Sequence, residues 1–325
     1  MKHISILVPK GAILGSLEGT RQLFTQVNEF YKAKGALPLF KVQLVGLSKE
    51  TAVSGGLFIV NSNVLADIKK TDLIIIPAID GEMEHALEMN RDFIPWIIKQ
   101  YKNGAEVASL CLGAFLLAST GLVNGRKCAT HWQAENQFRK MFPEVNLVTE
   151  RIITDEKGIY SSGGAFSYLN LILYLIEKYA GREIAILSAK VFAIEIEREN
   201  QLSFTIFQGQ KEHDDEQIKN AQEFIEKNYQ DKITVDKLAS EFALSRRNFE
   251  RRFKKATANT VVEYIQRVKM EAAKKDLENS RKNINEVMYE VGYNDTKAFR
   301  TTFKKITGLP PLEYRNKYNK EAVVL

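Results

Sequence analysis

The chain has 325 residues, of which 45% are hydrophobic and 26% are charged, and its formal net charge is +6. This length suggests about two domains with real cores, and the composition excludes disordered and collagen-like chains. No apolar stretch reaches the roughly 18 residues that a membrane span needs, and the N-terminus lacks the features of a signal peptide, so we expect a cytoplasmic protein.

Short apolar runs alternate with amphipathic stretches in the first part of the chain. The apolar runs predict strands over 3–8, 40–45, 73–76 and 106–110. Helical spacing predicts helices over 18–34, 91–102, 165–179 and 182–196. Because strands and helices alternate, we expect an α/β domain over residues 1–197, with a mostly parallel sheet and helices on both faces.

The periodicity fades over residues 198–216, and this polar stretch is predicted to be a linker. After it the pattern is helical, and residues 248–257 recur 50 positions later as residues 298–307. Both copies hold two Phe four residues apart, followed by Lys-Lys, and a short amphipathic helix and a tight break precede each copy.

We therefore predict an all-α domain over residues 217–320 with two helix-turn-helix units, at about 234–257 and 284–307. The stretch 261–277 between them is predicted to be a rigid connecting helix. Charge agrees with this division: residues 217–325 carry 23 basic and 15 acidic side chains, a net +8, and the remainder carries −2. A basic domain joined to a slightly acidic one suggests a nucleic-acid-binding module.

In the second helix of each unit the Phe pair is expected to pack inward, which leaves a polar and basic face for the major groove. A solvated face on a helical bundle is the alternative, and the second copy weakens it. The predicted DNA-binding residues are Ser245, Arg246, Arg247, Asn248, Glu250, Arg251, Lys254, Thr296, Lys297, Arg300, Thr301 and Lys304.

The stretch from about 218 to 318 resembles the AraC-type DNA-binding domain. The resemblance rests on residues 245–253, on Val291-Gly292-Tyr293, and on residues 303–305 and 307–315. It implies a sequence-specific transcription regulator that places two helix-turn-helix units in successive major grooves of double-stranded DNA.

Cys111 follows an apolar strand and precedes a helix-compatible run, with Ser109 and Gly113 two residues away on either side. Small residues at those positions let the chain turn sharply from strand to helix and place the thiol near a helix N-terminus. A buried structural cysteine is the alternative reading. With Cys128 as the second cysteine, the chain has no disulfide framework, and we expect neither a metal site nor a cofactor.

Residues 108–118, 121–126 and 130–132 resemble the PfpI-like, class I glutamine-amidotransferase-like superfamily. Within it they are most similar to GlxA-type regulators, which fuse this domain to an AraC-type domain. The resemblance implies a flavodoxin-like sandwich, often a homodimer, with a pocket around the elbow for a small-molecule effector. The candidate pocket residues are Cys111, Leu112, Glu18 and His131.

Two departures from the superfamily pattern argue against catalysis. Hydrolytic members place His directly after the cysteine, where this sequence has Leu112, and Ser16 stands where an Asp is usual, with Glu18 two positions late. We therefore expect either a ligand-sensing or a purely dimerising domain rather than an enzyme. The alternatives are a Cys111-dependent amidase or glyoxal-type hydratase, and a redox sensor.

Overall fold

The computed structural model describes residues 1–196 and 200–319. The chain divides into two compact units, Met1–Gln201 and Leu202–Leu325, called here the N-terminal and C-terminal units. The domain end and linker start expected at residues 197 and 198 lie outside the described residues, as does the expected domain end at residue 320. No helix within the described ranges is both long enough and apolar enough to cross a membrane.

The N-terminal unit is built on a central sheet. Its strands are β1 (Lys2–Val8), β2 (Phe40–Gly46), β3 (Glu50–Val53), β4 (Phe58–Asn61), β5 (Asn63–Val64), β6 (Leu73–Ile76), β7 (Glu106–Leu110), β8 (Lys127–Cys128), β9 (Asn146–Leu147), β10 (Ile153–Asp155) and β11 (Ile159–Ser162). Seven of them form one sheet in the order β10-β11-β7-β6-β1-β2-β5. All neighbours pair in parallel except β10 and β11. Strands β3 and β4 form a separate antiparallel hairpin.

Helices cover both faces of this sheet. They are α1 (Leu14–Ala33), α2 (Met83–Met89), α3 (Phe93–Lys102), α4 (Ala114–Ser119), α5 (Glu135–Met141), α6 (Tyr168–Ala180) and α7 (Arg182–Val191). One apolar core lies between the sheet and α1, α6 and α7, and the other between the sheet and α2 to α5. All four residues of β6 are buried, as expected for a strand covered on both faces. The predicted α/β sandwich with a mostly parallel sheet is confirmed.

Two helices differ from their predicted bounds by four residues or more. Helix α1 begins at Leu14 rather than at residue 18. The hydroxyl of Ser16 donates to the carbonyl of Ile13 at 2.8 Å and accepts from the backbone N–H of Ala78 at 3.1 Å, and both bonds hold the first turn. Helix α7 ends at Val191 rather than near residue 196, because Ala193 has a φ of 51°, which is incompatible with a continuing helix.

The described part of the C-terminal unit is helical almost throughout, which confirms the prediction of an all-α domain. Its helices are α8 (Glu216–Lys227), α9 (Val235–Glu241), α10 (Arg246–Thr257), α11 (Val261–Asn279), α12 (Ile284–Glu290), α13 (Thr296–Thr307) and α14 (Pro311–Tyr318). The first of two apolar cores joins α8, α9 and α10 to the N-terminal part of α11. The second joins the C-terminal part of α11 to α12, α13 and α14.

The 50-residue repeat continues beyond the stretch that the sequence pattern identifies. The hydroxyls of Thr257 and Thr307 each donate, at 2.8 Å, to the carbonyl of the Phe one turn earlier. Tyr264 and Tyr314 each pack edge-on against that same Phe, with ring centroids 5.3 and 5.4 Å apart. The two cores are therefore organised by the same interior contacts.

In the N-terminal unit, the chain after β7 passes very close to the end of β6. A Cβ atom on Gly113 would lie 2.3 Å from the carbonyl oxygen of Pro77 and 2.7 Å from that of Ile76. Both oxygens belong to the backbone, so no flexible side chain can move aside. Only glycine fits between β7 and α4 at this position.

We predict that Gly113→Ala lowers the free energy of unfolding by about 2 kcal/mol or more, because the added methyl overpacks a rigid site. Gly15→Ala is the matched control: it also adds one methyl, but no atom lies within 4 Å of the new Cβ. The control should change stability by no more than about 0.5 kcal/mol in urea denaturation. Equal effects of the two substitutions would contradict this account of the close approach.

Candidate nucleic-acid interface and elbow cysteine

Helices α10 and α13 each bury one face and expose the other. Phe249, Phe253, Phe299 and Phe303 are fully buried, and each pair lies on the inner face of its helix. Of the twelve predicted DNA-binding residues, Asn248 is half-buried and the other eleven are exposed. The hydrophobic spacing therefore identified the inward faces of both helices.

The caps and turns of the two helix-turn-helix units are built from local chemistry. Thr234 caps α9 by accepting from the N–H of Lys237 at 3.2 Å, and Asn283 caps α12 in a capping box with Glu286. Asp295 caps α13 by accepting from the N–H of Ala298 at 2.6 Å. These caps fix where α9, α12 and α13 begin, and so where their outward residues lie.

The exposed cations of α10 differ in their partners. Arg246 pairs with Asp236 of α9 at 3.0 Å and with Glu250 at 3.4 Å. Arg251 donates to the side-chain oxygen of Asn248 at 2.8 Å. Arg246 therefore joins the two helices of the first unit, while the hydrogen bond of Arg251 stays within α10.

Other cations on these two helices carry no ion-pair partner within residues 1–196 and 200–319. They are Arg247, Lys254, Lys255, Lys297, Arg300, Lys304 and Lys305. The two helices thus present unneutralised positive charge to solvent, which suits an anionic ligand such as the phosphate backbone.

The sequence patterns do not predict one charged contact, the ion pair between Arg252 and Asp215. Arg252 donates from Nε and an Nη to the two carboxylate oxygens of Asp215, at 2.9 and 2.6 Å, and from the other Nη to Gln217 at 2.6 Å. The guanidinium lowers the pKa of Asp215. Because Asp215 also caps α8, this pair joins α8 to α10, and a separation of 37 residues leaves no signal in a periodicity pattern.

In the N-terminal unit, Cys111 has a φ of 51°, a conformation that L side chains rarely adopt. The backbone turns here from β7 into a single 3₁₀ turn, Cys111–Gly113, that leads directly into α4. The hydroxyl of Thr130 donates to the carbonyl of Cys111 at 3.1 Å and holds the strained residue. This is the strand-to-helix elbow that the Ser109, Cys111 and Gly113 spacing predicts.

The surroundings of the thiol do not activate it. Cys111 is buried, and the loss of solvation raises the pKa of its thiol to about 11, against a smaller opposing effect of the N–H of Leu112. Leu112 itself is half-buried. Burial also raises the pKa of Cys128, to about 12. At neutral pH both side chains are thiols, which are poor nucleophiles.

The other two candidate pocket residues form separate local contacts. Glu18 pairs with Arg21 at 2.7 Å on the outside of α1, and this bond lowers the pKa of its carboxyl. His131 is half-buried, its Nδ1 accepts from the N–H of Gln133 at 3.2 Å, and burial lowers the pKa of its ring. No hydrogen bond joins either side chain to Cys111 in the described residues. The same ranges contain no group of three His, Cys, Asp or Glu side chains placed to hold a metal ion.

Comparison with known proteins assigns both units. Residues 25–178 match the DJ-1/PfpI family, and residues 238–317 match a helix-turn-helix domain family. The chain joins a DJ-1/PfpI domain to an AraC-type helix-turn-helix domain.

Several curated proteins match this chain over most or part of its length. The transcriptional regulator GbdR of Pseudomonas aeruginosa is 24% identical over 245 residues, which are 74% of this chain and 66% of GbdR. AdaA of Bacillus subtilis, a transcriptional activator and DNA repair enzyme, is 38% identical over 107 residues, 33% of this chain and 51% of AdaA. The matches to GbdR and AdaA thus span just under two thirds and about half of those proteins.

Solved structures agree on the fold. A PfpI family protein from Pseudomonas syringae has a TM-score of 0.51 at 16% identity, covering 60% of this chain and 75% of that one. An AraC family transcriptional regulator from Pseudomonas putida has a TM-score of 0.50 at 13% identity, covering 59% of this chain and all of that one. At such low identity these likenesses support the architecture alone.

We predict that Cys111 of the DJ-1/PfpI domain reacts slowly with iodoacetamide, since a pKa near 11 leaves very little thiolate at pH 7.5. In a Cys128→Ala background the rate should be roughly a hundredfold below that of free cysteine and should rise with pH well beyond 9. A rate equal to that of free cysteine, with a midpoint near pH 8.5 or below, would contradict the prediction.

Proposed function

We propose that the chain is a transcription regulator whose two helix-turn-helix units read neighbouring sites on double-stranded DNA. The observation that carries this proposal is the pair of matched helices, α10 and α13, which bury their Phe pairs and leave cations without ion-pair partners on their outward faces in the described structure. The names of the relatives, GbdR among them, and the +8 charge of residues 217–325 support it. A cytoplasmic location remains part of this proposal.

The length of α11 fits binding in successive grooves. Its 19 residues extend over about 28 Å at 1.5 Å per residue, and α10 and α13 belong to the cores at its two ends. Successive major grooves on one face of B-DNA are about 34 Å apart. A connecting helix of this length allows α10 and α13, the two proposed recognition helices, to bind one duplex at the same time.

The role proposed for the DJ-1/PfpI domain is dimerisation and the sensing of a small molecule, without catalysis. Cys111, Leu112, Glu18 and His131 stay the candidate pocket residues, with no catalytic base bonded to the buried thiol in the described residues. The raised pKa of Cys111 disfavours both alternatives, a cysteine-dependent hydrolase and a redox sensor that needs a thiolate.

We predict that Arg247→Ala and Arg251→Ala each weaken binding to the preferred duplex about tenfold or more and relax base preference at one position, since Arg donates two hydrogen bonds to guanine. Lys254→Ala should weaken binding to all duplexes similarly and lower the salt dependence of log K by about one. Selection from random duplexes, followed by fluorescence anisotropy at several salt concentrations, measures both effects.

The control for these substitutions is Lys227→Ala, which removes an exposed cation from α8 rather than from a recognition helix. Its affinity and salt dependence should match those of the wild-type protein. Failure of the wild-type protein to enrich any sequence would refute the proposed function, and unchanged affinity and specificity of both Arg variants would remove them as base readers.

The proposed homodimer finds support in the β3–β4 hairpin. Its second strand and turn expose Leu57, Phe58 and Ile59, with exposed fractions of 79%, 50% and 67%. Three adjacent exposed apolar side chains are unusual for a solvated hairpin and typical of a surface that another molecule covers. We propose that a second copy of the DJ-1/PfpI domain covers this hairpin.

We predict that the double substitution Phe58→Ser and Ile59→Ser shifts the protein from dimer to monomer in sedimentation velocity at micromolar concentration, because it removes apolar area from the interface. The matched control is Leu37→Ser, which removes an apolar side chain that is 87% exposed outside the hairpin. A wild-type monomer, or a double variant that stays dimeric, would refute this interface.

A further inference from the structure

The two helix-turn-helix units make limited contact with each other in the C-terminal unit. A cleft of about 350 Å³ lies between them, lined by Val235, Asp236 and Arg246 on one side and by Gly292 and Tyr293 on the other. Their relative orientation therefore depends on elements that contact both units. Helix α11 is one such element, since it contributes to both apolar cores.

The segment 203–210, called the strap from here on, is a second such element. The sequence predicts a polar linker here, yet the strap starts against the second core. The hydroxyl of Tyr318 in α14 donates to the carbonyl of Ser203 at 3.0 Å, and Ser203 is buried. The ammonium of Lys317 lies 4.8 Å from the ring centroid of Phe204.

The other end of the strap contacts the first core. The ring of Phe207 packs edge-on against Tyr264 at 5.1 Å between centroids, and Phe207 is part of that apolar cluster. The carbonyl of Gln210 accepts from the side chain of Gln222 in α8 at 3.0 Å, and its side-chain oxygen accepts from Asn259 at 3.0 Å.

A buried ion pair on α11 holds the middle of the strap. Lys274 and Glu271 are 2.7 Å apart, with side chains only 6% and 14% exposed. Lys274 also donates to the carbonyl of Thr205 at 2.5 Å, and Glu271 accepts from the N–H of Phe207 at 3.1 Å. Burying a charged pair costs solvation energy, so these extra hydrogen bonds to the strap backbone are needed to offset that cost.

We propose that the strap fixes the relative orientation of the two helix-turn-helix units, so that Phe207, Lys274 and Glu271 are positioning residues for DNA binding. None of the three lies on a recognition helix. These residues affect how well α10 and α13, held as one rigid pair, fit two major grooves at the same time. They therefore affect which spacings between the two sites the protein accepts. This inference rests on the proposed function and adds the spacing requirement to it.

The first test uses the full chain and duplexes recovered by selection with the wild-type protein. Affinity is measured for the recovered two-site duplex, for the same duplex with five base pairs inserted between the sites, and for a duplex with one site. Insertion of half a helical turn should weaken wild-type binding about a hundredfold, because only one unit then binds. In Phe207→Ala and Lys274→Met, this penalty, the loss of affinity caused by the insertion, should be about tenfold smaller than in the wild-type protein. The affinity of both variants for the one-site duplex should stay within about twofold of the wild-type value.

The chain offers matched controls for both substitutions. Ile206→Ala shortens the neighbouring strap residue, which is 51% exposed, and Lys275→Met removes the exposed neighbour of Lys274 on α11. Both controls should keep the wild-type penalty. A full penalty in Phe207→Ala and Lys274→Met would overturn the role of the strap while leaving the proposed function intact, whereas a wild-type protein that selects no duplex would refute that function.

A second measurement addresses orientation without DNA and separates it from loss of folding. Spin labels at Lys255→Cys and Lys305→Cys, exposed positions one repeat apart on α10 and α13, report the distance between the recognition helices by double electron–electron resonance. The strap predicts one narrow distance distribution, which Phe207→Ala broadens at unchanged helical circular dichroism. A distribution that stays narrow in Phe207→Ala would overturn the inference.

Discussion

Helix α11 is the constraint on which the C-terminal unit depends. Residues at its start, such as Tyr264, belong to the first apolar core, and residues toward its end, such as Leu277, belong to the second. Neither core is complete without it, so α11 links α10 to α13, and the strap adds a second link between the two units. Lys269, buried in the middle of α11, donates to the carbonyls of Val291 at 2.9 Å and Asp231 at 3.4 Å. It therefore contacts both the residue after α12 and the loop before α9.

The parts that sequence reasoning predicted are those in which local pattern and burial agree. Four consecutive apolar residues favour a strand covered on both faces, as β6 is, and Phe residues four apart favour one buried helix face, as in α10 and α13. The end of α7 at Val191 was not predicted, because apolar spacing carries no signal for the positive φ of Ala193. The strap was not predicted, because it depends on contacts distant in sequence. Polar composition made residues 203–210 resemble a linker, although Ser203 and Phe207 pack against two different cores.

The elbow at Cys111 shows that the backbone geometry of a site does not determine the reactivity of its thiol. Small residues around Cys111 predict a sharp turn, and the φ of 51° and the tight fit of Gly113 agree with it. Residue spacing does not predict the solvent exposure of the thiol, however. Burial raises the pKa of the Cys111 thiol more than the hydrogen bond from the N–H of Leu112 lowers it. The same fold can thus keep the shape of a nucleophile site while its cysteine stays a packed, neutral side chain.

The two copies of the repeat differ mainly in outward residues of α10 and α13. The buried Phe pair keeps its identity, as Phe253 and Phe303 show, whereas Glu250 and Arg251 correspond to Arg300 and Thr301. Two identical units would prefer two sites of the same sequence, whereas units with different outward residues prefer different sequences. Under the proposed function, a single chain therefore binds two unlike sites in a fixed order, before any second copy is involved.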